Sequence, residues 1–463
     1  MATKKHLRFE NVAVAIAATV VICIFGGASR VDVLSQIVVQ CTAAALIAFA
    51  WFHRASAAPL PKTPMWILAA MLAIVAAQLI PLPPALWQNL PGRALFAQID
   101  AAAGLTGTWR PISLVPDSTF SSLLGLVVPV SAGAAFALTT RAQWHYLALA
   151  LLSLILMSSI LGLLQVGAPS SGLYFYKVTN IGSPVGFFAN RNHQAIFLAL
   201  APILLVTILR GWHTRFTQHV LFKPALFSVF LLCLVAALVN GSRIGLIAFL
   251  FSVLGASALN WSLLQAAPRR DGRNQRRERR LARLKLGLGI GSVLITAGVA
   301  FFTSRSLESV SRFSETSLTS EGRLKLMGPL LDIAETYFPW GTGFGSFPEV
   351  YKIHEPDAGL TLSYLNHAHN DLIEILIEGG AASLALAIVA LFIAILAAYR
   401  SWRSWGTAFT RRALYARASS LMLIVLLIGS TTDYPLRTPV LGFIAGLSMF
   451  WFWSFQHSDT AAD

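Results

Sequence analysis

Charged residues are scarce in this sequence, and cysteine is nearly absent. Asp, Glu, Lys and Arg make up 12% of the 463 residues, against 56% hydrophobic, a balance at which a soluble domain of this size would aggregate. That excludes a water-soluble globular enzyme and points to an integral membrane protein. The three cysteines, Cys23, Cys41 and Cys233, all fall inside apolar runs, so neither a disulfide framework nor a Cys-type zinc site is supported. No repeat of fixed period occurs, and low complexity is confined to one basic run, "RRDGRNQRRERRLARLK" at 269–285.

What the chain does have is apolar runs of about 17–25 residues, long enough to cross roughly 30 Å of hydrocarbon as helices. Twelve spans are expected, at 12–28, 33–52, 65–80, 120–138, 146–167, 193–209, 223–240, 243–264, 286–302, 376–399, 413–430 and 438–455. With the N-terminus inside, 23 of the 35 Lys and Arg residues fall on inside segments, nine of them in the run 269–285. Both termini therefore read as cytoplasmic. The net charge of +15 follows from this topology and calls for no nucleic-acid partner, since basic residues on that side anchor orientation. Lys4, Lys5 and Arg8 ahead of the first run have the pattern of a signal peptide, but the eleven runs behind it favour an uncleaved first helix.

Two outside segments are long enough to have structure. The first, 81–119, has Pro81, Pro83, Pro84 and Pro91 around "ALWQNLPGRALFAQI". It predicts a short helix at the membrane interface, with Trp87 and Trp109 as headgroup-level anchors. The second, 303–370, pairs a helical stretch, "EGRLKLMGPLLDIAETY", with a glycine-rich turn region, "FPWGTGFGSF".

Ionisable side chains inside a bilayer are costly without partners or water, so their placement is informative. Here they gather at the outer ends of spans: Arg191 in "GFFANRNHQAIF", Arg243 in "NGSRIGL", His367 to Glu378 in "HAHNDLIEILIEGG", and Asp433 with Arg437 in "TTDYPLRTP". Arg191 and Arg243 each begin an apolar helix on the side where positive charge is disfavoured. Snorkelling explains either arginine alone. Two in polar turns suit an anion clamp, because helix N-termini and guanidinium forks both accept phosphate oxygens.

The stretch 367–378 admits three readings. Asp371 and Glu374 have the spacing of a capping box, so a helix is expected to start there, with Asp371, Glu374 and Glu378 as acids on one face. His367, His369 and Asp371 alternate like ligands in metallo-hydrolase patterns, although Leu372 stands where a further histidine is needed. His369, just ahead of the expected helix N-terminus, is also placed to accept a proton as a general base.

The motifs "GFFANRNHQAIFLALAP", "NGSRIGLIAFL", "GRLKLMGPLLDIAETYFPWGTGFGSF" and "HAHNDLIEILIEGG", in that order over about residues 180–380, resemble those of the O-antigen ligase and Wzy-type polymerase superfamily. The resemblance implies an all-α polytopic membrane protein of the GT-C type, with about twelve spans and a partly helical periplasmic loop. It implies four regions: 1–180 with helices 1–5, 181–302 with the donor motifs, 303–375 as the periplasmic loop with the catalytic motif, and 376–463 with the last three helices. By motif match, His369 is the catalytic histidine, Arg191 and Arg243 hold the lipid pyrophosphate, and Arg323 orients donor or acceptor. His367, Asn370, Asp371 and Arg437 join them as substrate-binding candidates.

The activity so implied is inverting glycosyl transfer from an undecaprenyl-pyrophosphate-linked glycan to an acceptor hydroxyl. It takes place on the periplasmic face of a bacterial inner membrane, with no cofactor and no metal. Lipid A-core is the first acceptor to consider, and a lipid-linked glycan, as for a polymerase, is the second. Transfer to protein hydroxyls is a further branch of the family. A secondary transporter or flippase of lipid-linked sugars has a similar span count, but transporters show paired halves and mid-membrane charges, which this sequence lacks.

Overall fold

The computed structural model describes residues 2–30, 33–54, 57–212, 218–266, 320–356, 365–403 and 410–456. In chain order the helices are α1 (Ala2–Phe25), α2 (Ser35–Phe52), α3 (Lys62–Ala77), α4 (Pro84–Trp87), α5 (Ala94–Ala102), α6 (Pro116–Gly125), α7 (Val127–Ala137) and α8 (Trp144–Gly167). There follow α9 (Arg191–Ala199), α10 (Ala201–Gly211), α11 (Phe222–Asn240), α12 (Arg243–Ala266), α13 (Ser320–Tyr337), α14 (Phe347–His354), α15 (Asp371–Arg403), α16 (Arg411–Ser430) and α17 (Pro439–Trp453).

Among the described residues eight helical stretches are long and apolar enough to span a bilayer, α6 with α7 and α9 with α10 each forming one of them. Three shorter apolar helices, Phe9–Phe25, Lys62–Ala77 and Pro439–Trp453, stand where three more spans were expected. The expected span 286–302 lies outside the described residues. An all-helical membrane protein is what these elements make.

Helices α9, α10, α16 and α17 are largely buried and form the centre, with α7, α8 and α12 packed round them. Helices α2 and α15 turn much of their apolar surface outward, including Trp51, Phe52, Ile388 and Phe392. Such faces are unsuited to water and fit hydrocarbon.

The chain alternates through the bundle so that the C-termini of α1, α3, α8, α11 and α16 and the N-termini of α9, α12, α15 and α17 share one end. There the segment after α3 meets the segment after α13. Leu114 N donates to Thr342 O at 2.8 Å, Phe344 N to Gln78 Oε1 at 3.1 Å, and the Arg93 guanidinium to Ile112 O and Gly341 O. Two residues, Pro81–Leu82, pair with Arg110–Pro111 as a minimal antiparallel ribbon.

The 81–119 segment corrects one expectation. Trp87 is buried, its indole N–H donating to Thr108 O at 3.0 Å and its ring covered by Arg110. An indole that can satisfy its N–H inside the loop has no need of a headgroup. Trp109 is the exposed one.

Helix α15 is broken at Gly380, where φ is 59° and ψ −153°. A side chain there would run into Pro339 O and the Gly341 amide, and the conformation is open only to glycine. The break releases backbone carbonyls that other segments satisfy. Thr342 N donates to Ile377 O at 3.0 Å, Gly343 N to Glu378 O at 2.9 Å, and Gln78 Nε2 also to Glu378 O at 2.8 Å. The turn 341–345 is thereby fastened to the base of the site, its Gly341, Gly343 and Gly345 all at positive φ.

Candidate active site

Four chain segments meet at that end of the bundle, and Asp433 is where they join. Asp433 lies between α16 and α17 and is buried. Its Oδ2 accepts from Asn192 Nδ2 at 2.6 Å and Asn190 Nδ2 at 3.2 Å. Its Oδ1 accepts from Tyr434 N at 3.0 Å and faces His369 Nδ1 at 3.3 Å. Burial by itself pushes this carboxyl up, but the two imidazoles beside it, His369 and His193, more than offset that and hold it well below the usual carboxylate range.

His369 is the only non-glycine among the described residues with positive φ, at 51°. The left-handed turn reverses the chain just before α15. Asn370 then caps the helix, its Oδ1 accepting from Leu372 N at 3.0 Å and Ile373 N at 3.2 Å. With Nδ1 directed at Asp433, His369 keeps a lone pair on Nε2, which has no hydrogen-bond partner among the described residues. An imidazole oriented by a carboxylate on one nitrogen and open on the other is equipped to take a proton. The ring is partly exposed, so a substrate can reach it.

The two arginines of the expected anion clamp begin adjacent helices. Arg191 opens α9 between Asn190 and Asn192, the two residues that bond Asp433, and its amide donates to Asn180 Oδ1 at 3.0 Å. Among the described residues its guanidinium has no ion-pair partner. Arg243 opens α12 and is exposed. The turn before it is tied to α9, with Ser242 Oγ donating to Asn192 Oδ1 at 2.8 Å and Asn240 Nδ2 to Arg191 O at 2.9 Å. The N-termini of α9, α12 and α15 thus converge on one hydrogen-bonded network running from Ser242 through Asn192 and Asp433 to His369.

The remaining candidates turn inward. Arg437 Nη2 lies 2.8 Å from Glu378 Oε2 and 3.4 Å from Glu374 Oε1, and Nε 3.9 Å from Asp371 Oδ1. Burial lowers this guanidinium, and the three carboxylates more than reverse the effect, so it is raised and stays charged. Asp371 also accepts from Ser430 Oγ at 2.7 Å. His367 Nδ1 sits 2.7 Å from Glu374 Oε1, whose other oxygen accepts from Ala368 N at 2.8 Å. Glu378 Oε1 accepts from Gly345 N at 2.9 Å and Phe347 N at 3.2 Å.

Two expectations change accordingly. Asp371, Glu374 and Glu378 do share one face at the start of α15, but that face is buried round Arg437, and the capping residue is Asn370 rather than Asp371. His367, His369 and Asp371 diverge to three different partners, which is not how ligands to one metal ion stand; among the described residues no three His, Cys, Asp or Glu side chains are grouped to hold one. His367, Asp371 and Arg437 have protein partners where substrate contacts were expected. Arg323 falls in the first turn of α13, and its side chain lies outside the described residues.

Sequence reasoning left Asn190, Asn192, His193, Ser242 and Tyr434 without roles, and gave Asp433 none beyond its position. The Tyr434 ring lies among three histidines, 4.1 Å from His367, 4.9 Å from His193 and 5.1 Å from His369 between ring centroids. The available signal was the density of amides and one histidine in "NRNH" at the mouth of an apolar run.

Residues 228–388 match the family model described as O-antigen ligase. The matched stretch is roughly a third of the chain and contains Arg243, the helix α13, the glycine-rich turn and His369. It bears out the resemblance to the O-antigen ligase and Wzy-type superfamily, and with it a membrane protein of ligase or polymerase type. No curated protein matches the chain.

Proposed function

We propose that this protein transfers a glycan from undecaprenyl pyrophosphate to an acceptor hydroxyl at the periplasmic face of the inner membrane, with inversion at the anomeric carbon. Lipid A-core is the proposed acceptor. The observation that carries the reading is the pairing of His369 with buried Asp433, Nε2 having no hydrogen-bond partner among the described residues, with Arg191 standing between the two asparagines that bond the same carboxylate.

In this mechanism His369 Nε2 removes the acceptor's hydroxyl proton as the oxygen attacks the anomeric carbon. The new C–O bond forms opposite the breaking bond to pyrophosphate. Asp433 holds the ring in the right tautomer and stabilises the imidazolium that results. Charge growing on the pyrophosphate is met by Arg191 and Arg243, whose guanidinium forks suit phosphate oxygens. His367, Glu374 and Arg437 hold the turn that presents His369. Arg323 is proposed to help orient donor or acceptor.

The interrupted helix α15 is a feature that transporters share. Here its released carbonyls are capped by Thr342, Gly343 and Gln78 rather than lining a path, which favours a fixed site over a moving one.

The test is purified protein given lipid-linked glycan and lipid A-core. Glycan appearing on lipid A-core with release of undecaprenyl pyrophosphate supports the reading, while intact lipid-linked glycan crossing a vesicle supports transport. In cells, gene deletion is expected to remove long chains from lipid A-core with polymer still on undecaprenyl. A single repeat remaining on the core would instead make the protein a polymerase.

Arg191→Ala and Arg243→Ala are each expected to weaken donor engagement by about tenfold or more, as loss of a charge-assisted hydrogen bond implies. Lysine should restore only part, since an ammonium lacks the fork. Donor titrations monitored by turnover check this, and unchanged apparent affinity in both alanine variants rules out the clamp.

A further inference from the structure

A second imidazole approaches Asp433 and has no part in the mechanism above. His193, in the first turn of α9, is 2% exposed, and its Nε2 lies 3.8 Å from the same Oδ1 that faces His369 Nδ1 at 3.3 Å. That separation is too long for a hydrogen bond but close for an ion pair. Nε2 is buried and has no hydrogen-bond partner among the described residues. Its ring is fixed edge-on to Phe188 and to Tyr434, at 6.5 Å and 4.9 Å between centroids. A buried polar nitrogen aimed at a carboxylate without bonding it calls for an explanation.

Charge supplies one. One carboxylate serves two imidazoles, so a proton on either ring is stabilised by Asp433, whereas protons on both would set two cations against one anion. The other charged or titratable groups on the surrounding elements are Arg191 on α9 itself, Arg243 at the start of α12, Tyr434 and Arg437 on the turn after α16, and His367 with Glu374, Asp371 and Glu378 at the start of α15. The arginines add positive charge, and the acids are engaged with Arg437 and His367. Among the described residues Asp433 is the one carboxylate against which His193 and His369 are both set.

We propose that His193 is a positioning residue that shares Asp433 with His369 and thereby sets the pH above which His369 is free to act as base. The inference rests on the reading of His369 as that base. It accounts for an imidazole, rather than an aliphatic side chain, at the mouth of α9.

The test uses the full-length protein in detergent or nanodiscs, with lipid-linked glycan and lipid A-core, and follows transfer against pH for wild type, His369→Ala, His193→Gln and His193→Phe. Glutamine keeps a polar side chain that can bond Asp433, and phenylalanine keeps the packing against Phe188 and Tyr434. Neither titrates. In both variants the acid limb of the rate profile is expected to move upward by about one pH unit, with the apparent affinity for donor unchanged. An acid limb that stays in place in both variants overturns the inference, including the case in which phenylalanine loses rate and glutamine restores it, since that pattern marks a structural role. Failure of the underlying reading is seen separately, as wild type without turnover or His369→Ala with full turnover, and either result removes the basis for a role of His193 as well.

Discussion

His369→Ala is expected to lower glycan transfer by about 10²–10⁴-fold, the usual contribution of a positioned general base, with the protein still inserted and still able to bind donor. Exposure makes this the most accessible point of the mechanism. His369 and the neighbouring His367 each face a carboxylate through Nδ1, but Nε2 of His367 is buried, whereas the His369 ring is partly exposed. Removing the His369 ring leaves Asp433 with Asn190, Asn192 and His193 around it, so the surroundings should persist.

The backbone raises one complication. Alanine at a left-handed φ costs on the order of 1–2 kcal/mol, and a loss of activity could follow from a disturbed turn. Asparagine separates the two causes, because it tolerates that conformation yet cannot accept the proton. His369→Asn should therefore be as inactive as the alanine variant while melting closer to wild type. Transfer within a few-fold of wild type in either variant would remove His369 from the chemistry.

How far the site could be read in the sequence depends on whether a feature is local. Spans are set by continuous apolar length, and the described helices fall where the apolar runs are, apart from shifts at their ends. The helix expected to begin at Asp371 and run into the span from 376 does so, but it bends at Gly380 because its opening turns are polar and packed under the 341–345 turn instead of lying in hydrocarbon. A pair of glycines, Gly379 and Gly380, marks the break in the sequence; a glycine pair is a breaker signal even inside a helical pattern.

Partnership was not legible. The His369–Asp433 and Glu378–Arg437 pairs are separated by 64 and 59 residues, and nothing in either local pattern selects the partner. Spacing alone made the acids of α15 a capping box. Which face of that helix becomes buried is decided by α16 and the turn after it, and that face brings Asp371, Glu374 and Glu378 to a single arginine. The same is true of Trp87, whose burial depends on Thr108 and Arg110 folding back over it.

Arg437→Met is the substitution expected to cost most in stability, about 3–5 kcal/mol, as when one partner of a buried ion pair is removed. Three carboxylates face Arg437, all of them buried, and among the described residues only His367 on Glu374 and Ser430 on Asp371 would stay as side-chain partners. Methionine fills much of the volume but none of the charge, so the penalty is that of stranded acids rather than of a cavity. Thermal melting in detergent should show a markedly lower transition. The acids being at fault, Glu378→Gln in the Arg437→Met background should recover part of the loss, because Glu378 makes the shortest contact to the arginine and its Oε1 bonds to Gly345 N and Phe347 N can be kept by an amide oxygen. Activity should fall with stability, since the ring of acids lies on the helix turn that follows His369. A melting transition equal to wild type in Arg437→Met would mean that the carboxylates find other partners, and that this cluster does not hold the turn in place.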